Sequence, residues 1–248
     1  MMLLHNRSLA RLRIFRIYLS LMAGNEIFDE WPERYEQWFG TPIGKLVRKF
    51  EGDLIAELLA PKTGETILDA GCGTGVFTTD FLAAGARVIG LDISAPMLQF
   101  AVKKTAGYPY SAVRADVCHL PFKDNCFDKV ASITAIEFVS DAQAAVDELF
   151  RVVQPGGRIV VATLNSLSPW AARRQAKTTM GQRHILENAI YRSPDELLAF
   201  SPYRGVAKTA IHFERDEEPG RAAAIEKAGK SKGLNTGAFV AVCWEKPR

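Results

Sequence analysis

Between Ile67 and Phe77 the chain reads ILDAGCGTGVF, with glycines at Gly71, Gly73 and Gly75 and a carboxylate, Asp69, just ahead of them. A glycine turn that follows an apolar strand presents bare backbone N–H groups to a ligand. The dinucleotide fingerprint G-x-G-x-x-G does not fit. Counted from Gly71 its third glycine falls on Val76, and counted from Gly73 it falls on Thr78. Asp69 adds a charge argument. A carboxylate beside a diphosphate is a like-charge contact, whereas beside a sulfonium and an α-ammonium it is attractive. An acid next to free N–H groups suits an amino-acid tail of mixed charge. Of two ligand classes, a nicotinamide dinucleotide and S-adenosylmethionine, the spacing and Asp69 favour the second.

Asp92 closes the next apolar run, VIGLD. It stands 21 positions beyond Gly71 (92 minus 71). An acid at about that distance accepts hydrogen bonds from both ribose hydroxyls. The alternative role for Asp92 is to cap the helix that follows, but Ser94 can serve there. In VRADVCHLPF, Asp116 is placed to accept from an adenine amino group, with Val117 offering a backbone N–H; its plainer role is to cap a loop. Glu137 follows a fourth apolar run, at the rim where a substrate sits in such sheets. It and His184, in a loose basic stretch, are the candidates for a catalytic acid or base. Asn165 ends a fifth run. His212 falls within a strand pattern and reads as structural.

These side chains need a scaffold that brings strand ends together. Glu26–Gly40 carries Trp31, Tyr35 and Trp38 at helical spacing, and Thr41–Leu59 reads as a second helix, stopped by Pro61 and Gly64. Strands are expected at Thr66–Ala70, Arg87–Leu91, Ala112–Ala115, Phe127–Ile133 and Arg158–Thr163, with Pro155-Gly156-Gly157 as a turn. Helices fall between them at Val76–Ala84, Ala95–Thr105 and Asp141–Val152. Alternation at this rhythm makes a parallel sheet with helices on both faces. Beyond Asn165 a short helix begins at Ser193-Pro194, two closing strands are expected at Val206–Phe213 and Ala238–Trp244, and Glu214–Gly237 reads as loop with at most a short helix.

The totals set limits. The chain has 248 residues, 48% hydrophobic and 24% charged, with a formal net charge of +3. That balance argues against nucleic acid or an acidic membrane as partner. The run Arg173, Arg174, Lys177 reads as a solvated helix face. The four cysteines, Cys72, Cys118, Cys126 and Cys243, form no CxxC pair, and no Cys/His group has metal spacing, so no metal is expected. Reduced thiols and a cytoplasmic location follow. No apolar run is long enough to span a membrane. Residues 1–22 form a basic apolar leader in which Arg16 interrupts the apolar core; translation from Met22 is the favoured reading.

Taken in order, the blocks ILDAGCGTGVF, VIGLDIS, VRADVCHLPF, FDKVASITAIEFVSD and LFRVVQPGGRIVVATLN resemble those of the class I S-adenosylmethionine-dependent methyltransferases. The resemblance covers roughly residues 60–165 and leans toward the small-molecule, ubiquinone/menaquinone C-methyltransferase-like branch. It implies a Rossmann-like α/β fold with a seven-stranded, mostly parallel sheet in order 3-2-1-4-5-7-6 and an antiparallel seventh strand. It implies that Asp69, Gly71 and Gly73 hold the methionine part, Asp92 the ribose, and Asp116 with Val117 the adenine, with Ile93 packed on the adenine face. Tyr35 matches a tyrosine near the methionine carboxylate. Residues 23–60 would form a helical lid, 61–165 the cofactor core, and 166–248 a substrate-facing insertion with the closing strands. Absence of a [DNS]PPY motif after the fourth strand argues against base-amine methylation. The expected activity is transfer of a methyl group to a small molecule, with S-adenosylhomocysteine as product. The competing readings are NAD(P)-dependent hydride transfer and a non-catalytic binding subunit.

Overall fold

The computed structural model describes residues 26–29, 31–179 and 188–248. In chain order the elements are α1 (Glu26–Asp29), α2 (Pro32–Gly40), α3 (Pro42–Leu59), β1 (Thr66–Ala70), α4 (Thr78–Ala83), β2 (Arg87–Asp92), α5 (Ala95–Lys104), β3 (Tyr110–Arg114), β4 (Phe127–Ile133), α6 (Ala142–Val152), β5 (Val153–Leu164), α7 (Pro169–Thr179), α8 (Pro194–Leu198), β6 (Gly205–Ala210), α9 (Pro219–Ser231) and β7 (Phe239–Glu245). The strands form one seven-stranded sheet in order 3-2-1-4-5-7-6. Strands β1 to β5 run parallel, and β7 runs antiparallel to both β5 and β6. The expected fold class and strand order are therefore what the structure has.

The alternation of inward residues along the central strands explains why both faces are covered. Ile67, Val88, Ala131 and Val160 pack beneath α3, α4 and α9 with Leu54, Ile55 and Phe81. Leu68, Leu91, Val130 and Val161 point the other way, onto α6 and α8 with Val146, Leu149 and Leu197. A strand buried on both sides reads as a continuous apolar run rather than an alternating one. Strand β1 sits between β2 and β4, so its end opens where the strand order reverses direction, the usual ligand crevice of such sheets.

Several expected boundaries shift for local reasons. The single helix expected from Glu26 to Gly40 is two pieces, because Pro32 cannot continue a helix that precedes it. Helix α4 begins at Thr78 rather than Val76, since the glycine turn runs on to Phe77. Strand β3 starts two residues earlier than expected, at Tyr110, where it pairs with Val88. Pro155-Gly156-Gly157 does not end a strand: β4 pairs first with Val153 and then with Arg158, and the residues between bulge out. Gly157 is required there, because a Cβ would stand 2.6 Å from the Asp128 carbonyl oxygen.

The largest correction is α9. Thirteen residues, Pro219–Ser231, are helical where loop with at most a short helix was expected. Its charged, glycine-containing sequence hides a small-residue face: Ala222 and Gly229 are buried, and a Cβ at Gly229 would stand 2.3 Å from the His212 ring. Glu226 on the same face accepts from the His212 backbone N–H at 2.8 Å and pairs with its ring Nδ1 at 3.0 Å. His212 is thus structural, although it lies just past β6, which ends at Ala210, rather than within the strand expected over Val206–Phe213. Its imidazole is raised above its ordinary pKa, first by the Glu226 carboxylate.

Candidate functional site

The glycine turn leaves β1 at the crevice. Gly71, Gly73 and Gly75 all have positive φ, at 79°, 53° and 76°. Gly71 donates to the Leu91 carbonyl at 2.7 Å, which ties the turn to the end of β2. A Cβ at Gly71 would lie 2.4 Å from that of Ala135, so only glycine lets the turn approach the segment after β4. A Cβ at Gly73 would meet nothing within 4 Å, which leaves its surroundings open. Behind the turn, the Asp69 carboxylate is 2% exposed and accepts from the Thr78 hydroxyl at 2.5 Å. Burial pushes its pKa up to about 7, eased by Thr78 and raised further by the charge of Asp92. Cys72, inside the turn, is held well above its ordinary value by burial and the two aspartates, so it stays a thiol.

Asp92 ends β2 and faces the turn. Its carboxylate accepts from the backbone N–H of Gly73 at 2.8 Å and of Ser94 at 2.9 Å. Burial raises its pKa, and those N–H groups oppose the rise. Ser94 caps α5, as expected, and leaves Asp92 outside the capping role. Ile93 is half-buried beside it. Asp116 accepts from the Cys118 N–H at 2.9 Å and lies 3.5 Å from the His119 ring. That is loop capping, the plainer of its two expected roles. The carboxylate is only partly buried, and Val117 beside it is half-buried.

Helices α1 and α2 lie across these strand ends. Phe28 packs edge-on against Phe138, after β4, with ring centroids 4.8 Å apart. Asp29 accepts from the Ser94 hydroxyl at 2.7 Å. Glu36 accepts from Thr74 in the glycine turn and from Lys104 on α5, both at 2.5 Å. Tyr35 reaches inward from α2; its phenol is pushed well up, first by burial, and meets the Thr134 side chain. Thr134 itself sits at φ 49°, a conformation that β-branched residues seldom take, at the end of β4.

Glu137 lies in a short 3-10 turn after β4, 1% exposed, and accepts from the Thr163 hydroxyl of β5 at 2.9 Å. Burial pushes its pKa up to about 7, against Arg192 and Arg174, whose charges lower it. A second buried carboxylate belongs with it and was missed in the sequence. Glu51 on α3 is 6% exposed, and burial pushes it up to about 8. It occupies a place in the stripe Val47, Leu54, Ile55, Leu58, all buried. A charge inside an apolar helical stripe was the available signal. Asn165 is structural: its side chain donates to the Asn235 and Gly237 carbonyls, both at 2.8 Å. The site thus brings together Tyr35, Asp69, the three glycines, Asp92 and Glu137. His184 and the 1–22 leader lie outside the described residues. Among the described residues no His/Cys/Asp/Glu cluster has the makings of a metal site, and no helix is long and apolar enough to cross a membrane.

Two carboxylates raised in pKa, buried Asp69 and half-buried Asp92, stand beside a glycine turn whose Gly71, Gly73 and Gly75 N–H groups are bonded to the Leu91 carbonyl, the Asp92 carboxylate and the Cys72 carbonyl, and the site favours positive charge. A dinucleotide diphosphate meets repulsion there, whereas a sulfonium with its amino-acid tail meets attraction. The open space over Gly73 gives that tail room. The residues present therefore fit S-adenosylmethionine.

Comparison with known proteins agrees. Residues 68–161 match a family model described as a methyltransferase domain. A malonyl-[acyl-carrier protein] O-methyltransferase of Yersinia pestis is 31% identical over 201 residues, covering 71% of this chain and 74% of the relative. A demethylmenaquinone methyltransferase of Streptomyces griseus is 31% identical over 180 residues, covering 72% and 74%. A solved structure from Thermotoga maritima, described as a SAM-dependent methyltransferase and possible histamine N-methyltransferase, superposes with a TM-score of 0.65. It is 21% identical, and the match covers 90% of this chain and 99% of that one. At that identity the superposition speaks for the fold.

Proposed function

We infer residue roles from the premise that the chain belongs to the class I S-adenosylmethionine-dependent methyltransferases acting on small molecules. S-adenosylmethionine supplies a methyl group already activated on a sulfonium. In our reading Gly71, Gly73 and Gly75 receive the methionine tail, and Asp69 offsets its positive charge. Asp92 accepts from the ribose hydroxyls. Asp116 and Val117 meet the adenine edge, Ile93 its face, and Tyr35 the carboxylate end. The observation that carries this is the pairing of buried Asp69 with Asp92, whose carboxylate holds the Gly73 N–H of the turn.

Alignment is then the protein's main task, because the methyl is activated before it arrives. The α1–α2 segment excludes water from the strand ends through Phe28 on Phe138 and Tyr35 on Thr134. Glu137, desolvated yet held near neutrality, is poised to take a proton from an acceptor that must lose one. Neither relative decides the acceptor, since one is named for a malonyl thioester and the other for a quinone precursor. We favour a small molecule over nucleic acid on the balanced charge, and a cytoplasmic location on four unpaired cysteines.

The direct test is transfer of a radiolabelled methyl group from S-adenosylmethionine to a fractionated extract. Label is expected in a low-molecular-weight fraction; label confined to nucleic acid would overturn the acceptor class. Glu36→Ala removes the tie between α2 and the glycine turn. It is expected to weaken S-adenosylhomocysteine binding about threefold, of the size of a partly exposed ion pair. Calorimetry reads this, and unchanged affinity would separate the α2 cover from the cofactor site.

A further inference from the structure

Helix α1 is only four residues long, yet two consecutive side chains fasten it to opposite sides of the crevice. Phe28 seats on Phe138, after β4, with ring centroids 4.8 Å apart. Asp29 reaches the start of α5, beyond β2, where the Ser94 hydroxyl donates to its Oδ1 at 2.7 Å. The end of β1 and its glycine turn lie between those two sides, because β1 pairs with β2 on one side and β4 on the other. Helix α1 therefore crosses the strand ends that the cofactor reading gives to the methionine part and the ribose.

Ser94 is shared by two carboxylates. Its backbone N–H donates to Asp92 Oδ1 at 2.9 Å, and its hydroxyl donates to Asp29 Oδ1 at 2.7 Å. Both donors belong to one small residue, so the two carboxylates stand side by side. The Asp29 carboxylate uses one oxygen on Ser94; its Oδ2 accepts from no group among the described residues, and the residue is exposed. No ion pair joins either carboxylate to a cation among the described residues. Arg114 is directed at the Ile93 carbonyl at 2.9 Å, and Lys104 at Glu36. Asp92 registers its neighbour: burial raises its pKa first, and the charge of Asp29 adds to the rise. Two like charges held together cost free energy that donors placed between them offset.

We propose that Asp29 is a second acid of the ribose site, carried in on α1, so that the cover over the crevice takes part in recognising the cofactor. This rests on the methyltransferase reading above. A ribose presents two neighbouring hydroxyls, each a neutral donor. Asp92 receives one from the end of β2, and Asp29 Oδ2 receives the other from α1. Ser94 sets the spacing of the two acids through its N–H and its hydroxyl. Asp29 then has two separable tasks, one for each oxygen. Through Oδ1 it fastens α1 to α5, and through Oδ2 it binds the sugar. A ligand lacking the hydroxyl that Oδ2 receives would be indifferent to the second task and still feel the first.

Asp29→Asn separates the two tasks. Asparagine keeps one acceptor oxygen for Ser94 and replaces the other with an amide NH2, which cannot accept from a hydroxyl. Calorimetry on the full chain and on this variant compares S-adenosylhomocysteine with its 2′-deoxy and 3′-deoxy forms. Asp29→Asn is expected to weaken S-adenosylhomocysteine about fivefold. For the deoxy form that lacks the hydroxyl received by Asp29, the two proteins are expected to agree within about twofold. Unchanged S-adenosylhomocysteine affinity in Asp29→Asn would overturn the proposal. So would an equal loss for all three ligands, which would leave Asp29 as a fastening of α1 alone. Failure of the unaltered chain to bind S-adenosylhomocysteine would instead overturn the cofactor reading beneath it.

Discussion

Asp92→Ala is expected to weaken S-adenosylhomocysteine binding at least tenfold, equivalent to about 1.4 kcal/mol. The half-buried carboxylate organises the crevice from both sides, holding the Gly73 N–H of the turn and the Ser94 N–H at the start of α5. Removing it leaves two N–H groups without that acceptor and takes away the acid proposed for the ribose hydroxyls. Hydrogen bonds to a charged group are each worth about 1.5–3 kcal/mol, so tenfold is the low end. Truncation to alanine also loosens the turn itself, so Asp92→Asn serves as the second variant. It keeps one acceptor oxygen and the size of the side chain, and is expected to lose less. Both are read by calorimetry well below the melting temperature. Unchanged affinity in Asp92→Ala would remove Asp92 from the ribose role.

The ligand-free protein is expected to lose stability as the pH rises from about 5 to 8. Asp69 and Glu137 are pushed up to about 7 and Glu51 to about 8, each from an ordinary value near 4. The folded chain therefore keeps protons that the unfolded chain has released. Where the folded state binds more protons, stability falls with rising pH, by about 1.4 kcal/mol per pH unit for each such group. The contribution is intact below the unfolded value and is lost as the pH climbs through the window, flattening above about 8. His212, raised by Glu226, acts in the same direction, since its stabilisation is present below its unfolded value and is lost as pH rises through the folded one. The lowered carboxylates Glu148, Glu196 and Glu226 work the other way, but only as pH falls toward their own range. Relaxation and water entry reduce the sum, and a net drop of about 2–4 kcal/mol between pH 5.5 and 8 is expected. Urea unfolding at the two pH values measures it. A flat or rising profile would mean that these carboxylates ionise in the folded chain at no cost. Glu51→Gln is expected to shrink the drop.

The parts of this protein that were legible before its structure share a physical property: they are local. The glycine turn needs positive φ at three positions within five residues, and only glycine adopts it freely, so the turn is written in consecutive letters. Asp69 and Asp92 lie at the ends of neighbouring strands, and the length of one strand–helix–strand unit sets their spacing. Alternating apolar strands and amphipathic helices likewise repeat on short periods, which made the sheet order readable through the family resemblance. Helix α9 escaped because its buried face is alanine and glycine, which carry little hydrophobic signal, and because it is held by Glu226 on His212 from β6's far end.

The groups contributed by distant segments are different in kind. Tyr35, Glu51, Glu137 and Thr163 come from α2, α3, the turn after β4, and β5, and no spacing rule links them. Glu51 looks like one more charge on a helix until the packing of α3 against the sheet turns it inward with Val47 and Leu54. The sequence alone determined which methyl donor the protein binds and the fold that holds it, because backbone conformation and strand-end geometry follow from neighbouring residues. Only the tertiary structure decided which charges are buried at the strand ends, because burial and long-range electrostatics exist only once distant segments have packed together.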